Sequence, residues 1–590
     1  MKPHPSRLFD LLDKQLAEFP QQTCISTKEN GAWRSYSTAE TVETAEKLAM
    51  GLMALGIHPG DKVAIGSGNR SEWCIVDQAL LRMGVINVPI YPTSSIEDYA
   101  YVLNHAEVRV FFASNRELYD KAKTASASVP SLKHIFTFDR IDGLPHWTQL
   151  LDQGQDQRGQ LDLYKAQVKG TDLATIIYTS GTTGKPKGVM LTHGNILSNV
   201  EASTERLPVD IGSRCISFLP LCHIYERMLM YLYQRTGMNI HFQETLDDLG
   251  ARIKEVRPHV FTAVPRLLEK IYDSILAKGE ALTGIKRQLF LLSLKLGEQY
   301  DVHGKSAWYR MQLGLVNKLV FSKWREALGG EVLCVASGSA ALHPRLARIF
   351  NAAGVPVMEG YGLTESSPVI SVNDVRNDGL RFGSVGKPIA NVQVRIADDG
   401  EILAKGPNIM IGYYKQPEQT AEVLDADGWL HTGDIGRLDE NGFLYITDRK
   451  KEMFKTSGGK YVAPQVIENK LRSSRFIEQA MVIGENRKFP AALIVPSFAF
   501  LKDYCALKEI PYGGPEEAVR EQRIIARIQQ EVDAVNQGLG HWEQVKKFVL
   551  LPKEWSIDGG EFTPSLKLRR KPILAKYATE VDGIYSNTPA

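Results

Sequence analysis

From Ser37 to beyond Val335, short apolar runs alternate with stretches of helical period, and this alternation restricts the fold more than any other feature of the chain. Ser37-Thr38-Ala39-Glu40 reads as a capping box, in which hydroxyl and carboxylate satisfy orphan backbone N–H groups. The amphipathic helix that it opens is stopped by Gly56 and Pro59. A short buried strand at Val63–Ile65 follows, then a helix over Glu72–Met83 and a strand over Val85–Ile90. A helix over Ile96–Asn104 leads to the strand Val108–Phe112. Leu173–Tyr178, Cys215–Leu219, Val260–Ala263 and Val332–Val335 repeat the strand pattern. Apolar strands separated by helices imply crossover connections, which predicts α/β units built on parallel sheet.

The style changes near residue 381. Short β-like runs now flank Asp398-Asp399-Gly400 and Glu440-Asn441-Gly442, and Asp-Gly and Asn-Gly pairs supply the positive φ angles of tight hairpins. An antiparallel, barrel-like subdomain over about 381–448 is expected. Asp448-Arg449-Lys450-Lys451 then reads as a linker, followed by a Pro464-started helix, strands near Ala480–Ile483 and Ala492–Val495, and one long polar helix from Pro515 to Val535. At 590 residues the chain exceeds what one hydrophobic core supports. We therefore expect a large α/β N-terminal domain over 1–448 and a small mobile α+β domain over 449–590.

Charge and cysteine usage exclude several classes. Seventy Lys+Arg against 68 Asp+Glu leave a net charge of +2, which argues against a protein built to coat nucleic acid. The six cysteines are scattered without a CxxC pair, which suits reduced thiols in a cytoplasmic protein. The first twenty residues carry Asp10, Asp13, Lys14 and Glu18, so they lack the apolar core of a signal peptide. Leu8, Leu11, Leu12, Leu16 and Phe19 share one helical face. That face either packs on its own domain or makes a peripheral membrane contact, and periodicity leaves both open.

The strongest chemical signal is the segment Tyr178 to Gly188. An apolar strand runs into Thr179, Ser180, Gly181, Thr182, Thr183, Gly184 and Lys185. Glycines let backbone N–H groups converge on an anion, hydroxyls bind phosphate oxygens or a hard cation, and lysines add mobile charge. A Walker A loop is excluded, because only Thr182 and Thr183 separate Gly181 from Gly184 and Pro186 stands where that motif needs a hydroxyl. Gly66-Ser67-Gly68 lacks the third glycine of a dinucleotide fingerprint.

The segment resembles the phosphate loop of the adenylate-forming superfamily, and further motifs follow in the matching order. They are Tyr361-Gly362-Leu363-Thr364-Glu365, Trp429 to Asp434, Asp448 to Glu452, Ser457 to Lys460, and Thr563 to Arg570. The resemblance implies ATP, Mg²⁺ and coenzyme A as ligands and a carboxylic acid as substrate. It implies that Thr182 and Glu365 ligate Mg²⁺, Thr364 contacts phosphate, and Gly360 and Tyr361 flank the adenine. Asp434 and Arg449 would hold the ribose, Ser337 and Gly338 would line the nucleotide site, and Gly458 and Gly459 would leave space for the pantetheine arm.

Lys567 is the residue expected to carry the chemistry, whereas the neighbouring Arg569, Arg570 and Lys571 read as a solvated basic face. A carboxylate approaching a polyphosphate at about 4 Å meets roughly 4 kcal/mol of repulsion per charge pair at an effective dielectric near 20. An ammonium between the two anions removes that barrier. Lys451 corresponds to the superfamily's hinge, about which Lys567 withdraws so that a thiol can enter. Leu219 to Arg227 would border the acid pocket, with His223 positioning the acyl group. The long insertion from Val264 to about Ser322, with Gly484 to Phe489, is similar to bacterial long-chain fatty acyl-CoA synthetases. The implied reaction joins a long-chain fatty acid to CoA through an acyl-adenylate, releasing AMP and pyrophosphate. Transfer to a carrier protein in trans, and a non-catalytic nucleotide-binding scaffold, remain as alternatives. Oligomeric state is not legible.

Overall fold

The computed structural model describes residues 5–179, 185–376, 378–450, 452–557, 559–563 and 568–586. The chain divides into two compact units. The first comprises Met1–Arg395, Leu403–His431 and Leu438–Tyr445; the second comprises Ile396–Ile402, Thr432–Arg437 and Ile446–Ala590.

Two sheets organise the first unit. One runs, in spatial order, Gly412–Tyr413, Lys187–Thr192, Leu173–Thr179, Ile86–Ile90, Lys62–Gly66, Val110–Ala113 and His134–Thr137. Pairing is parallel from Leu173–Thr179 to His134–Thr137, while Lys187–Thr192 folds back antiparallel on Leu173–Thr179. The other runs Lys387–Pro388, Val369–Val372, Val357–Gly362, Cys334–Ser337, Val260–Ala263, Arg214–Ser217, Asn239–Phe242, Ile25–Glu29 and Ala32–Tyr36. Every pairing from Val357–Gly362 to Ile25–Glu29 is parallel. The strands at Ile86–Ile90, Val260–Ala263 and Cys334–Ser337 are buried at every position, as parallel strands covered on both faces must be.

The helix Ser71–Met83 is also buried along its whole length, which marks it as a layer between others. Its charge is paired inside. Asp77 accepts from Arg227 and from Tyr231 Oη, each at 2.5 Å, and from Asn87 Nδ2 at 2.7 Å. Arg227 donates also to Thr175 Oγ1 at 2.7 Å. The capping box forms as expected, with Ser37 Oγ accepting from Glu40 N–H and Glu40 accepting from Ser37 N–H. At the N-terminus, Leu8, Leu11 and Leu12 are at most 2% exposed and Gln15 Nε2 donates to the Gln234 carbonyl at 3.0 Å. Of the two uses open to that apolar face, packing on its own domain is the one realised. All six cysteines are buried and free.

Beyond residue 381 the strands Gln393–Ile396, Glu401–Lys405, Leu430–Leu438 and Leu444–Arg449 form one four-stranded sheet. Its tight turns carry Gly400 at φ 86° and Gly442 at φ 79°. In the second unit, Ile477–Ile483 pairs antiparallel with Ala491–Pro496, which pairs parallel with Lys547–Leu550. Three expectations need correction here. The polar helix is two helices, Pro515–Ala518 and Gln522–Asn536, because Glu521 turns outward to cap the second by accepting from Arg523 N–H at 3.2 Å. The charged run at Asp448 is not a solvated linker from its start, since Asp448 and Arg449 finish a strand and Asp448 is 3% exposed. Arg570 does not sit on a solvated face. It donates to Glu468 at 2.7 and 2.8 Å and to Glu452 at 3.2 Å.

Candidate active site

His223, Ser337, Gly338, Gly360 and Tyr361 lie at the carboxyl ends of parallel strands of one sheet, where open α/β sheets bind ligands. Arg214–Ser217 leads into Leu219 to His223, Cys334–Ser337 into Gly338, and Val357–Gly362 ends on Gly360, Tyr361 and Gly362. Register fixes their proximity: Ala263 pairs with Ser337, and Ser337 with Glu359. Ser337 is 1% exposed and its hydroxyl is a buried group without a hydrogen-bond partner. The Tyr225 ring lies so close to Gly338 that a Cβ there would stand 3.2 Å from its Cζ. His223 is the N-cap of the helix Ile224–Thr236, its Nδ1 accepting from Tyr225 N–H at 3.1 Å. Cys222 is 1% exposed and burial pushes its thiol pKa up, so it packs rather than reacts.

Two buried carboxylates lie beneath these strand ends. Glu359 is 6% exposed and receives one backbone bond, from Leu342 N–H at 2.9 Å. Burial raises its pKa to about 8. Glu226 accepts from Thr262 Oγ1 at 2.6 Å, and burial raises it to about 7. Neither was singled out from sequence, because a Glu beside an apolar strand gives no sign of whether a counter-charge meets it.

Glu365 sits in the turn Thr364–Ser366. Gly362 is required just before it, because a Cβ there would lie 1.8 Å from the Pro368 carbonyl oxygen. Distant side chains clamp the turn. Asn199 Nδ2 donates to the carbonyls of Ser366 at 3.2 Å and Val369 at 2.8 Å, and Asn408 Nδ2 donates to the same two at 2.9 and 3.0 Å. Tyr413 Oη donates to Glu365 Oε1 at 2.8 Å. Tyr413 also pairs with Val189 on the strand Lys187–Thr192, and the Lys187 ammonium lies 4.8 Å from its ring centroid. The glycine-rich segment is therefore bounded by a hairpin, with Thr179 registered against Lys187, whose second strand carries the edge strand that orients Glu365. The Lys185 ammonium lies 5.4 Å from the Tyr101 ring, and Tyr178 Oη shares a 2.7 Å hydrogen bond with His105 Nδ1. Ser180, Gly181, Thr182, Thr183 and Gly184 lie outside the described residues.

A hard divalent cation takes oxygen ligands and is often shared with substrate phosphates. Glu365, with one oxygen held by Tyr413, suits that role. Among the described residues no cluster of three or more His, Cys, Asp or Glu side chains is placed to hold a metal ion.

In the second unit the structure brings Asp434 and Arg449 together, with Arg449 Nε 3.3 Å from Asp434 Oδ1. Their strands are pinned by residues that sequence reading missed. Glu401 accepts from Gly433 N–H and from Lys450 Nζ, each at 2.8 Å, and Lys450 N–H donates to the Gly433 carbonyl at 2.8 Å. Gly458 and Gly459 occupy the turn between Phe454–Lys455 and Tyr461–Val462, where an added Cβ at Gly459 would meet nothing within 4 Å. Ser457 N–H donates to the Arg487 carbonyl at 2.9 Å, joining this turn to the segment Gly484 to Phe489. Lys451 and Lys567 lie outside the described residues.

Comparison with known proteins follows the same division. The AMP-binding enzyme family matches residues 12–414, and the AMP-binding enzyme C-terminal domain matches 452–589. The chain is 35% identical to a long-chain-fatty-acid–CoA ligase of Mycobacterium bovis, over 94% of this chain and 93% of that protein. It is 34% identical to the peroxisomal long chain acyl-CoA synthetase 7 of Arabidopsis thaliana, over 95% and 82%. Its fold matches ATP-bound MatB from Rhodopseudomonas palustris with a TM-score of 0.71 at 22% identity, covering 97% of this chain and 98% of that one.

Proposed function

Since the chain belongs to the AMP-binding enzyme family, we propose that it joins a long-chain fatty acid to coenzyme A at the expense of ATP. In the first step the carboxylate attacks the α-phosphate, forming acyl-adenylate and releasing pyrophosphate. In the second the CoA thiol attacks the acyl carbon, forming the thioester and releasing AMP. The observation that carries this reading is 35% identity along 94% of the chain to a long-chain-fatty-acid–CoA ligase.

The residues divide the work as follows. Ser180 to Lys185 receive the phosphates, and Thr364 contacts them. Thr182 and Glu365 hold Mg²⁺, which when bound neutralises phosphate charge. Tyr413, Asn199 and Asn408 fix the Glu365 turn. Gly360, Tyr361, Ser337 and Gly338 take the base, and the Ser337 hydroxyl, unsatisfied and buried, suits a polar edge of the ligand. Asp434 accepts from the ribose hydroxyls while Arg449 holds its carboxylate in place. His223 caps the helix that closes the acid pocket and so sets where the acyl chain begins. Lys567 stands between carboxylate and polyphosphate in the first step, where charge builds. Residues 449–590 act as the mobile domain, with Lys451 at its hinge and Gly458 and Gly459 along the path of the pantetheine arm.

AMP release dependent on both ATP and CoA, measured for acids from acetate to stearate with benzoate and amino acids as controls, tests the proposal. Turnover rising toward the long chains is expected. Adenylation without any CoA-dependent product would reject the ligase reading.

A further inference from the structure

The insertion between the strands Val260–Ala263 and Cys334–Ser337 folds as the helices Pro265–Glu280, Gly284–Glu298 and Ala307–Val316, the last continuing through Asn317–Phe321 into Ser322–Ala327. The inner side of that last rod belongs to the core, with Val316 and Phe321 fully buried and Trp324 5% exposed. Its outer side is apolar as well. Trp308, Met311, Leu315 and Leu319 recur at helical spacing and are 63%, 60%, 52% and 50% exposed. Single exposed leucines need no explanation, but an ordered stripe of four large apolar side chains on one helix does.

The charges around the stripe define what it fits. From Lys305 to Ala327 the chain carries Lys305, Arg310, Lys318, Lys323 and Arg325 against one acid, Glu326, which pairs with Lys323 at 2.9 Å. Arg310 and Lys318 stand beside Met311 and Leu319 in sequence, and both are exposed. The nearest acidic residues on the N-terminal side are already taken, with Glu298 paired to Arg345 at 2.6 Å and Asp301 to Arg348 at 2.6 Å. A Trp- and Leu-bearing face with a basic rim matches the interface of an anionic bilayer, where the rings and alkyl groups enter the headgroup boundary and the long basic side chains reach phosphates.

We propose that the rod Ala307–Ala327 docks this protein peripherally on anionic phospholipid membrane through Trp308, Met311, Leu315 and Leu319. Among the described residues no helix is long and apolar enough to cross a membrane, so the contact is one of surface insertion. The binding itself does not depend on the ligase reading. One consequence does: the insertion springs from the strand whose end, Ala263, pairs with Ser337, so docking would bring the acid pocket near the phase in which a long-chain acid dissolves.

Cosedimentation of the full chain with vesicles, in the absence of substrates, tests the proposal. One set is pure phosphatidylcholine and the other contains an equal part of phosphatidylglycerol. The full chain should partition onto the anionic vesicles and do so less at high salt, since each basic residue near such a surface contributes roughly fivefold. Replacing all four stripe residues (Trp308→Ser, Met311→Ser, Leu315→Ser and Leu319→Ser) should lower partitioning by on the order of tenfold or more. Arg310→Glu with Lys318→Glu should abolish the preference for phosphatidylglycerol. Circular dichroism of both variants should match the parent, because the replaced side chains face outward. No binding by the parent, or undiminished binding by the stripe variant, would overturn the proposal. So would a parent that sediments as a dimer, ignores vesicles and becomes monomeric when the stripe is replaced, since the occupant would then be a second copy.

Discussion

Glu359→Gln isolates the electrostatic consequence of burying an uncompensated carboxyl at the strand ends. Glu359 is 6% exposed, and its carboxylate accepts from the Leu342 N–H at 2.9 Å. Its pKa rises from 4.5 to about 8 because burial disfavours the charged form by more than the Leu342 N–H favours it. Below pH 4.5 both folded and unfolded chains hold the proton, so the residue has no pH-dependent effect on stability. Above that the unfolded chain releases the proton and the folded chain retains it. Stability therefore falls by about 1.4 kcal/mol per pH unit until the pH reaches about 8, then levels. The glutamine variant keeps the shape and an acceptor for Leu342 but has no proton to lose. Between about pH 5 and pH 7 the variant should gain roughly 2 to 3 kcal/mol on the parent. Glu226, raised to about 7, titrates in both proteins and cancels in the difference. Urea unfolding of parent and variant across this pH range measures the gap. A gap that stays constant with pH would refute the reasoning, since it would mean that Glu359 ionises in the folded protein as readily as in water.

Asp77→Asn should destabilise the first unit by about 3 to 5 kcal/mol in urea unfolding, because Arg227 is left charged and buried; a loss under about 1 kcal/mol would deny the pair that role. Tyr413→Phe removes the bond that orients Glu365, so half-maximal activity should need roughly 10-fold more Mg²⁺ while thermal stability holds. An unchanged Mg²⁺ requirement would separate Tyr413 from the cation. Lys567→Ala should slow adenylate formation by about 10²–10³-fold, read as ATP–pyrophosphate exchange, yet still convert supplied acyl-adenylate and CoA to thioester. Full exchange in that variant would remove the lysine from the first step. Asp434→Ala should weaken ATP binding in calorimetry, and unaltered affinity would count against a ribose contact.

Local signals were legible in the sequence wherever neighbouring residues determine the geometry. Ser37 and Glu40 make a capping box within one turn. Gly400 and Gly442 take the positive φ that their turns require. Glu365 could be read beside Gly362 because the turn between them needs a residue without a side chain. The carboxyl-end arrangement of Ser337, Gly338, Gly360 and Tyr361 follows from the parallel order that the strand–helix alternation predicts.

What escaped reading is supplied from far along the chain. Asn199 and Asn408 bind the same two carbonyls from positions more than two hundred residues apart, and neither has a local pattern to mark it. Arg570 looked like one of several basic surface residues until Glu452 and Glu468 were found to meet it. Asp77 and Glu359 show the same limit from opposite sides. Both are acids next to apolar segments, yet Asp77 meets a guanidinium and Glu359 meets only an amide. Sequence reveals that a carboxyl enters the interior; only the packed neighbours determine whether it enters as an ion or as an acid. In this fold that distinction falls at the strand ends of the site, where a protonated Glu359 adds no negative charge beside Ser337 and Gly360, the residues proposed for the base.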